Sequence, residues 1–426
     1  MSRKIFPFLF TLVFTLSGCG ASKGIRVKKY FDDDFFDRQF TGFALYDPGK
    51  DKMIYACQAD KYFTPASNTK IFTLYAGLQL LSDSVPALHY SKTADTLYIE
   101  GTGNPLFLHP YFKDRAVLDF LKECEEPVAL SSGNFHDDRF GPGWSWGDYP
   151  YYYSPERDAF PVYGNVVTVY KSRGKIKTVP EYFKDAVKVQ ADILRPRDLR
   201  RNIFHVPQNL RDTLEIPFIL SPELTCQLLS DTLKKKIYTT QTALPRTKKT
   251  LYSSIASDSL YQRMMYVSDN FLAEQILLMS AAAVSDSLDS KKAIDHILER
   301  FLPGIPQKPR WVDGSGLSRY NLFTPESIVY VLNRLYHEQP KERLFRIFAA
   351  GGQSGTLKGF YKGKNGIPYL YAKSGTLSNN HNLSGYLITS SGNVLIFSYM
   401  NNHYMHPTGE VKKRMETLLR HIRDHY

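Results

Sequence analysis

Residues 65–81 read PASNTKIFTLYAGLQLL, a serine and a lysine three positions apart followed by an apolar repeat. Ile71, Leu74, Tyr75, Leu78 and Leu81 recur at intervals of three and four, which predicts a helix with one buried face. Thr64 and Pro65 stand where a helix start is signalled, so Ser67 falls near the helix N-terminus. There the dipole and the free amides favour developing negative charge. Lys70, one turn on, shares a side of the helix with Ser67 and lies close enough to take its proton. A solvated lysine is protonated, so this chemistry requires an amine whose pKa is lowered by burial or by a second cation.

Two further strings complete a set. Ser268, Asp269 and Asn270 form SDN between helical segments, with Met264 and Met265 before it and Leu272, Ile276 and Leu277 after it. Lys373 to Thr376 read KSGT on a strand-like run near the end of the chain. Lys373 is expected to be the second cation, its repulsion favouring a neutral Lys70 while it attracts an anionic substrate. Each string alone is weak: Ser172 and Lys175 repeat the serine–lysine spacing in a basic strand-or-turn stretch and receive no role. Their order and their placement on helix, joint and strand carry the information. Asp269, between two functional positions, is expected to hold the joint by hydrogen bonding.

The rest of the chain is that of a globular protein. Its 426 residues, 43% hydrophobic and 23% charged, argue against disorder and allow two or three domains. Arg3 and Lys4 precede an apolar run from Ile5 to Leu16, then Ser17, Gly18 and Cys19. Residues 1–19 are therefore expected to be a lipoprotein signal peptide ending at Cys19, which becomes the lipidated first residue, with 20–29 a basic tether. That places the protein in a bacterial cell envelope, anchored by lipid and facing the periplasm. Cys57, Cys124 and Cys226 allow at most one disulfide and show no metal-ligand spacing. The net charge of +12 reads as solubilising, and the Lys234 to Lys236 cluster lacks the aromatic interleaving that nucleic-acid binding needs. Gly101, Thr102 and Gly103 are followed by Asn104 and Pro105, so no phosphate loop is completed.

An α+β organisation follows. Gly42 to Tyr46 and Met53 to Cys57 flank a Pro48, Gly49 turn and predict a hairpin. Tyr369 to Lys373, Leu383 to Thr389 and Asn393 to Met400 predict strands, with a helix from Gly409 to His425. An antiparallel sheet flanked by helices is expected from residues 30–82 and 251–426. Between them, 83–250 is expected to be a mainly β insertion of one or two subdomains, with strands at Thr96 to Glu100 and Val166 to Tyr170. Its aromatic cluster, Trp144, Trp146, Tyr149, Tyr151, Tyr152 and Tyr153, is of a kind that can stack on sugar rings but is expected to pack that loop-rich region. His381, His403 and His406 have no acidic partner at metal spacing and are expected to be surface or satisfied core residues.

With these strings the chain resembles the penicillin-binding protein and serine β-lactamase superfamily. More closely it resembles the D-alanyl-D-alanine carboxypeptidase/endopeptidase family, the class C penicillin-binding proteins of the four type. PASNTK, GNP at Gly103 to Pro105, PGWSWGD at Pro142 to Asp148, SDNFLAE at Ser268 to Glu274, DGSGLSRYN at Asp313 to Asn321, SGTL at Ser354 to Leu357 and AKSGTL at Ala372 to Leu377 carry the likeness. It runs over nearly the whole mature chain. The resemblance implies that Ser67 attacks the carbonyl between two terminal D-alanines of a peptidoglycan stem peptide while Lys70 takes its proton. Ser268 then relays that proton, Asn270 holds the substrate backbone, and Lys373 supplies positive potential. Ser374 and Thr376 bind the terminal carboxylate, and the amides of Ser67 and Thr376 form the oxyanion hole. β-Lactams are the implied inhibitors, and neither metal nor organic cofactor is required. Two departures stand out: the family's KTG is KSG here, keeping a hydroxyl at Ser374, and its GDP is GNP, losing a charge at Asn104.

Three other readings share these residues. A β-lactamase needs a dedicated deacylating group, and the ExxLN string of the class A type is absent between SDN and KSG. An esterase of the same fold would use the same serine. A wall-binding lipoprotein without chemistry should have lost one of Ser67, Lys70, Ser268, Asn270 and Lys373, and all five are present.

Overall fold

The computed structural model describes residues 27–426; Cys19, with the signal peptide and most of the tether, lies outside them. A six-stranded sheet forms the centre, in the order Ala349–Ala350, Leu370–Leu377, Asn380–Ile388, Val394–Asn402, Phe40–Asp47, Lys52–Cys57. Every neighbouring pair is antiparallel. Successive side chains along a strand point to opposite faces. Phe43 and Leu45 accordingly meet Val411, Met415, Leu418 and Ile422 of the final helix, Thr408–His425. Ala44, on the other face, joins Ile396 and Met400 against the core of the remaining helices.

The segment 70–80 is the helix expected, Lys70–Leu80, but it is not one-sided. Lys70 through Gly77 are all buried, including Phe72 and Ala76 off the predicted stripe. The helix runs through the middle of the domain, packed by Asn270–Ser285 and Pro325–Glu338, with Phe72 edge-on to Trp311 and Phe323. Asn270–Ser285 is likewise buried from Phe271 to Ala281. Both serine strings therefore sit on elements that the core holds from several sides, the arrangement a preorganised site needs.

The insertion has its own core, built on Leu88, Ile99, Val128, Phe160, Val167, Phe204, Phe218 and Leu228. It holds a five-stranded sheet, Ile237–Thr240, Val128–Ser131, Leu97–Gly101, Ser84–Lys92, Lys249–Ala256, in which the first two pairings are parallel. Helices Ala116–Glu123 and Pro222–Leu233 accompany it in a region otherwise built mainly of strands. A three-stranded antiparallel sheet and a parallel pair, Val187–Gln190 with Phe204–Pro207, complete the region.

Two expected boundaries move. Lys249–Ala256 continues past residue 250 because it pairs with Ser84–Lys92, and the insertion ends only where the Ser257–Tyr266 helix begins. Val27, expected in a free tether, is 1% exposed within the core that the final helix closes. The three described cysteines are free.

Asn104 shows what the GNP departure does. Its Nδ2 donates to the Pro86 carbonyl at 2.9 Å, a bond no carboxylate could donate, and its Oδ1 accepts from the Leu106 amide. Beside it, Gln275 Nε2 donates to the Gly103 carbonyl at 2.7 Å and to the Asp158 carbonyl at 2.9 Å, stitching the insertion to the helix that carries Asn270.

Candidate active site

Ser67 lies in a single 3-10 turn, Ala66–Thr69, that runs into the Lys70–Leu80 helix. Ala66, just before it, has φ +48°, a left-handed conformation that costs an alanine about 1–2 kcal/mol. The surroundings enforce it. Gly316, at φ +83°, brings the Asp313 to Gly316 turn so close that a β-carbon there would lie 1.9 Å from the Ala66 carbonyl oxygen. On the opposite side Gly375 lets the Leu370–Leu377 strand abut the turn, since a β-carbon at 375 would lie 2.8 Å from the Ser67 amide nitrogen.

Lys70 is fully buried, and its Nζ meets three oxygens: Ser67 Oγ at 3.0 Å, Asn270 Oδ1 at 2.6 Å and the Ser315 carbonyl at 2.7 Å. Asn270 Nδ2 donates to the Tyr153 carbonyl at 2.8 Å, which turns the amide oxygen toward the lysine. A neutral amine has two hydrogens and one lone pair. With the two stronger acceptors taking the hydrogens, the lone pair faces the serine hydroxyl, the orientation a general base requires.

Burial is the main force on this amine and lowers its pKa to about 8, against the opposing pull of Asp313, Glu274 and Asp269. Lys373 is buried beside it, its pKa lowered first by burial and then by Lys70, and the like-charge repulsion between the two amines is mutual. Lys373 Nζ donates to Ser268 Oγ at 2.9 Å and to the Ser374 carbonyl at 2.6 Å. Ser268, at φ +60°, occupies the joint between the two helices. Asp269 caps the second of them by accepting from the Leu272 amide and pairs with Arg263 at 3.1 Å.

The strings thus converge: Ser67, Lys70 and Asn270 form one chain of hydrogen bonds, and Ser268 and Lys373 a second. Ser374 Oγ is 2.6 Å from Thr356 Oγ1 of the SGTL turn, and Thr376 Oγ1 is 2.8 Å from His381 Nδ1. His381 is a satisfied core residue, its pKa depressed to about 3 chiefly by burial, so it meets Thr376 as a neutral ring.

Sequence reasoning missed the buried charges behind Lys70. Asp313 accepts from the Gly316 and Ser318 amides, Asn321 Nδ2 and Trp144 Nε1, the last at 2.9 Å. Glu274 accepts from the Ser315 amide at 2.7 Å and lies 3.5 Å from Arg157, which is fully buried and also pairs with Asp137 at 2.7 Å. Burial and then Asp313 raise the Glu274 pKa to about 7. One signal for Glu274 was legible, since it follows Asn270 by four on a helix and shares its face. Arg157 has no local signal.

The reactive groups open on a cleft of about 1170 Å³ lined by Ser67, Ser268, Asn270, Ser374 and Thr376. The aromatic cluster does not pack as expected: Tyr149 is buried, but Trp146 and Tyr152 are 70% and 67% exposed, and Tyr152 and Tyr153 line the cleft. The aromatic run 144–153 is pinned at both ends by site residues, Trp144 to Asp313 and Tyr153 to Asn270, so its middle is left to face solvent.

Comparison with known proteins agrees with this architecture. A model of the D-Ala-D-Ala carboxypeptidase 3 (S13) family matches residues 24–193 and 221–422. The D-alanyl-D-alanine carboxypeptidase DacB of Haemophilus influenzae is 29% identical over 180 residues, 39% of this chain and 36% of that protein. Carboxypeptidase DacB of Mycolicibacterium smegmatis is 33% identical over 171 residues, 38% and 37% of the two chains. The aligned stretch thus spans little more than a third of either relative's length. In fold, the crystal structure of penicillin-binding protein 4 (dacB) from H. influenzae superposes with a TM-score of 0.74 at 21% identity, covering 93% of this chain and 98% of that one. A peptidoglycan endopeptidase of Bdellovibrio bacteriovorus superposes at 0.51, with 14% identity and coverage of 90% and 93%. The helix-flanked antiparallel sheet is that of penicillin-binding protein 4, and the chain belongs to the D-Ala-D-Ala carboxypeptidase 3 (S13) family.

Proposed function

We propose that the protein is a serine-type D-Ala-D-Ala carboxypeptidase, with DD-endopeptidase activity on cross-links, acting on peptidoglycan stem peptides. The observation that carries this reading is the Lys70 amine, buried and aimed at Ser67 Oγ by two other acceptors. Ser67 Oγ bonds to the carbonyl carbon between the two D-alanines as Lys70 Nζ takes its proton. The amides of Ser67 and Thr376 receive the oxyanion, each such donor being worth about 3 kcal/mol. Lys373, Ser374 and Thr376 hold the terminal carboxylate by charge and hydroxyl donation. The C–N bond then breaks, and the proton passes from Lys70 toward the departing amine with Ser268 as relay. Water releases the acyl group from Ser67 and restores the hydroxyl.

We also propose that the chain is exported and anchored through lipid on Cys19, facing the periplasm, and that β-lactams acylate Ser67. Mass spectrometry of the protein extracted from envelopes, before and after penicillin, checks all three statements. The expected spectra show a lipid mass on Cys19 and one long-lived penicilloyl adduct on Ser67. An adduct elsewhere, or none alongside D-alanine release, overturns the assignment. Rapid penicillin turnover with no D-alanine release indicates a β-lactamase, and neither adduct nor turnover of peptide or ester a wall-binding protein without chemistry.

The Lys70 shift sets a pH dependence. The base works only as the neutral amine, so the acylation rate should climb about tenfold per pH unit below about 8 and level off above it. Glu274 is one of the charges raising that pKa. Glu274→Gln should therefore move the rising limb to lower pH, as read by stopped-flow acylation with a chromogenic cephalosporin; an unmoved limb would show that the pKa is set without Glu274.

A further inference from the structure

Behind loop 139–153 lies a second cavity, of about 520 Å³, within the range of ordinary small-molecule sites, about 300–1,000 Å³. Ser145 lines both this cavity and the Ser67 cleft, so the two are neighbours across one strand of loop. The wall is aromatic and edged by charge. Trp146 turns most of its ring to solvent while the Arg195 guanidinium sits 5.4 Å from its centroid. Tyr149 lies under the Arg197 guanidinium at 4.9 Å. Arg197 is 2% exposed and its Nε has no hydrogen-bond partner. The carboxyl of Glu156, also buried, lies 3.6 Å from Arg139 at the same wall. Neither the nucleophile nor the carboxylate-binding groups touch this cavity.

Flat π faces rimmed by guanidinium donors and a carboxyl complement a pyranose ring. Its axial C–H bonds form an apolar face that settles on the negative face of an indole, and its hydroxyl and acetamido groups project at the rim. Exposing a tryptophan to water in a monomer is unfavourable, and here it coincides with charged edges and a preformed hollow. On the hydrolase reading above, the peptide in the neighbouring cleft is tethered to an N-acetylated sugar. We infer that this cavity binds an N-acetylhexosamine of the glycan strand whose stem peptide occupies the Ser67 cleft, with Trp146 as the stacking platform. Trp144 walls the cavity and also donates to Asp313, so an occupant touches the scaffold behind Lys70.

Two measurements on the full chain test this. In calorimetry with chitotetraose, the wild type should bind and Trp146→Ala should weaken binding by about tenfold or more. Tyr252→Ala, which removes an exposed aromatic far along the insertion's sheet, should leave binding unchanged. In kinetics, D-alanine release is compared between a free pentapeptide and the same peptide on a GlcNAc–MurNAc disaccharide. The wild type should prefer the glycan-linked form, and Trp146→Ala should abolish that preference while leaving kcat/KM for the free peptide within about twofold. No heat with chitotetraose, as expected of a cavity made for an apolar peptide, overturns the inference, and so does an equal loss on both substrates. Failure of the wild type to release D-alanine from either peptide strikes the hydrolase reading instead, and the calorimetry still decides the sugar site.

Discussion

Ser67→Ala is expected to reduce D-alanine release by about 10⁵-fold or more and to eliminate the penicillin adduct, without loss of fold. The serine hydroxyl has a single hydrogen-bond partner, Lys70 Nζ, and contributes nothing to the core. What it supplies is the oxygen that the Lys70 amine addresses. Lys70→Arg makes the companion case. A guanidinium preserves charge but stays protonated at any working pH, so it cannot accept the serine proton, and a loss of about 10³-fold should remain even at pH 10. Substrate binding through Lys373 and the strand hydroxyls should survive in both variants, measurable as retained affinity for a non-hydrolysable D-Ala-D-Ala analogue. Appreciable turnover by Ser67→Ala would place the nucleophile elsewhere and end the assignment of this cleft.

The second large effect is on stability. Arg157→Met should cost about 3–5 kcal/mol in urea unfolding, because it leaves the Glu274 carboxyl buried beside Asp313 without its cation. The pH dependence has a definite sign. Burial raises the folded pKa of Glu274 from 4.5 to about 7, so the ionised form is disfavoured in the fold and stability is lost as pH rises through that window. Without Arg157 the folded pKa rises further. The deficit of the variant should therefore be small near pH 5 and continue to grow beyond pH 7. Adding Glu274→Gln should restore most of the loss, since an amide keeps the bond from the Ser315 amide without carrying charge. A double variant as unstable as the single one would mean that Arg157 acts chiefly through Asp137 or through its packing on Trp144, 5.9 Å from the ring centroid.

The three strings were legible because each is a local pattern with a local meaning. A lysine three residues after a serine on a helix is its neighbour whatever the rest of the chain does, and the 3.0 Å contact between them follows from helical geometry. The hairpin after the tether, the strands of the last third and the closing helix were legible for the same reason, since alternation and turn residues act over a few positions. The breadth of burial around Lys70–Leu80 was not, because an apolar stripe records one buried face and cannot count how many neighbours will cover the others.

Long-range relations escaped altogether. Nothing near Arg157 announces that it will meet Glu274 across more than a hundred residues, and nothing near Trp144 announces Asp313. The aromatic run 144–153 shows the cost of local inference. Aromatics favour cores, yet this loop is tied at both ends to site residues and left between two cavities, so Trp146 faces water. The extent of the insertion also depended on a partner, since Lys249–Ala256 belongs to whichever sheet it pairs with. By itself the amino-acid order determined which groups are reactive and on which kinds of element they stand, because helical and strand periodicity are short-range properties. Only the tertiary structure decided which way the Lys70 lone pair points and how completely its amine is buried, which lowers its proton affinity, since both depend on oxygens and walls that distant segments bring to the same few ångströms.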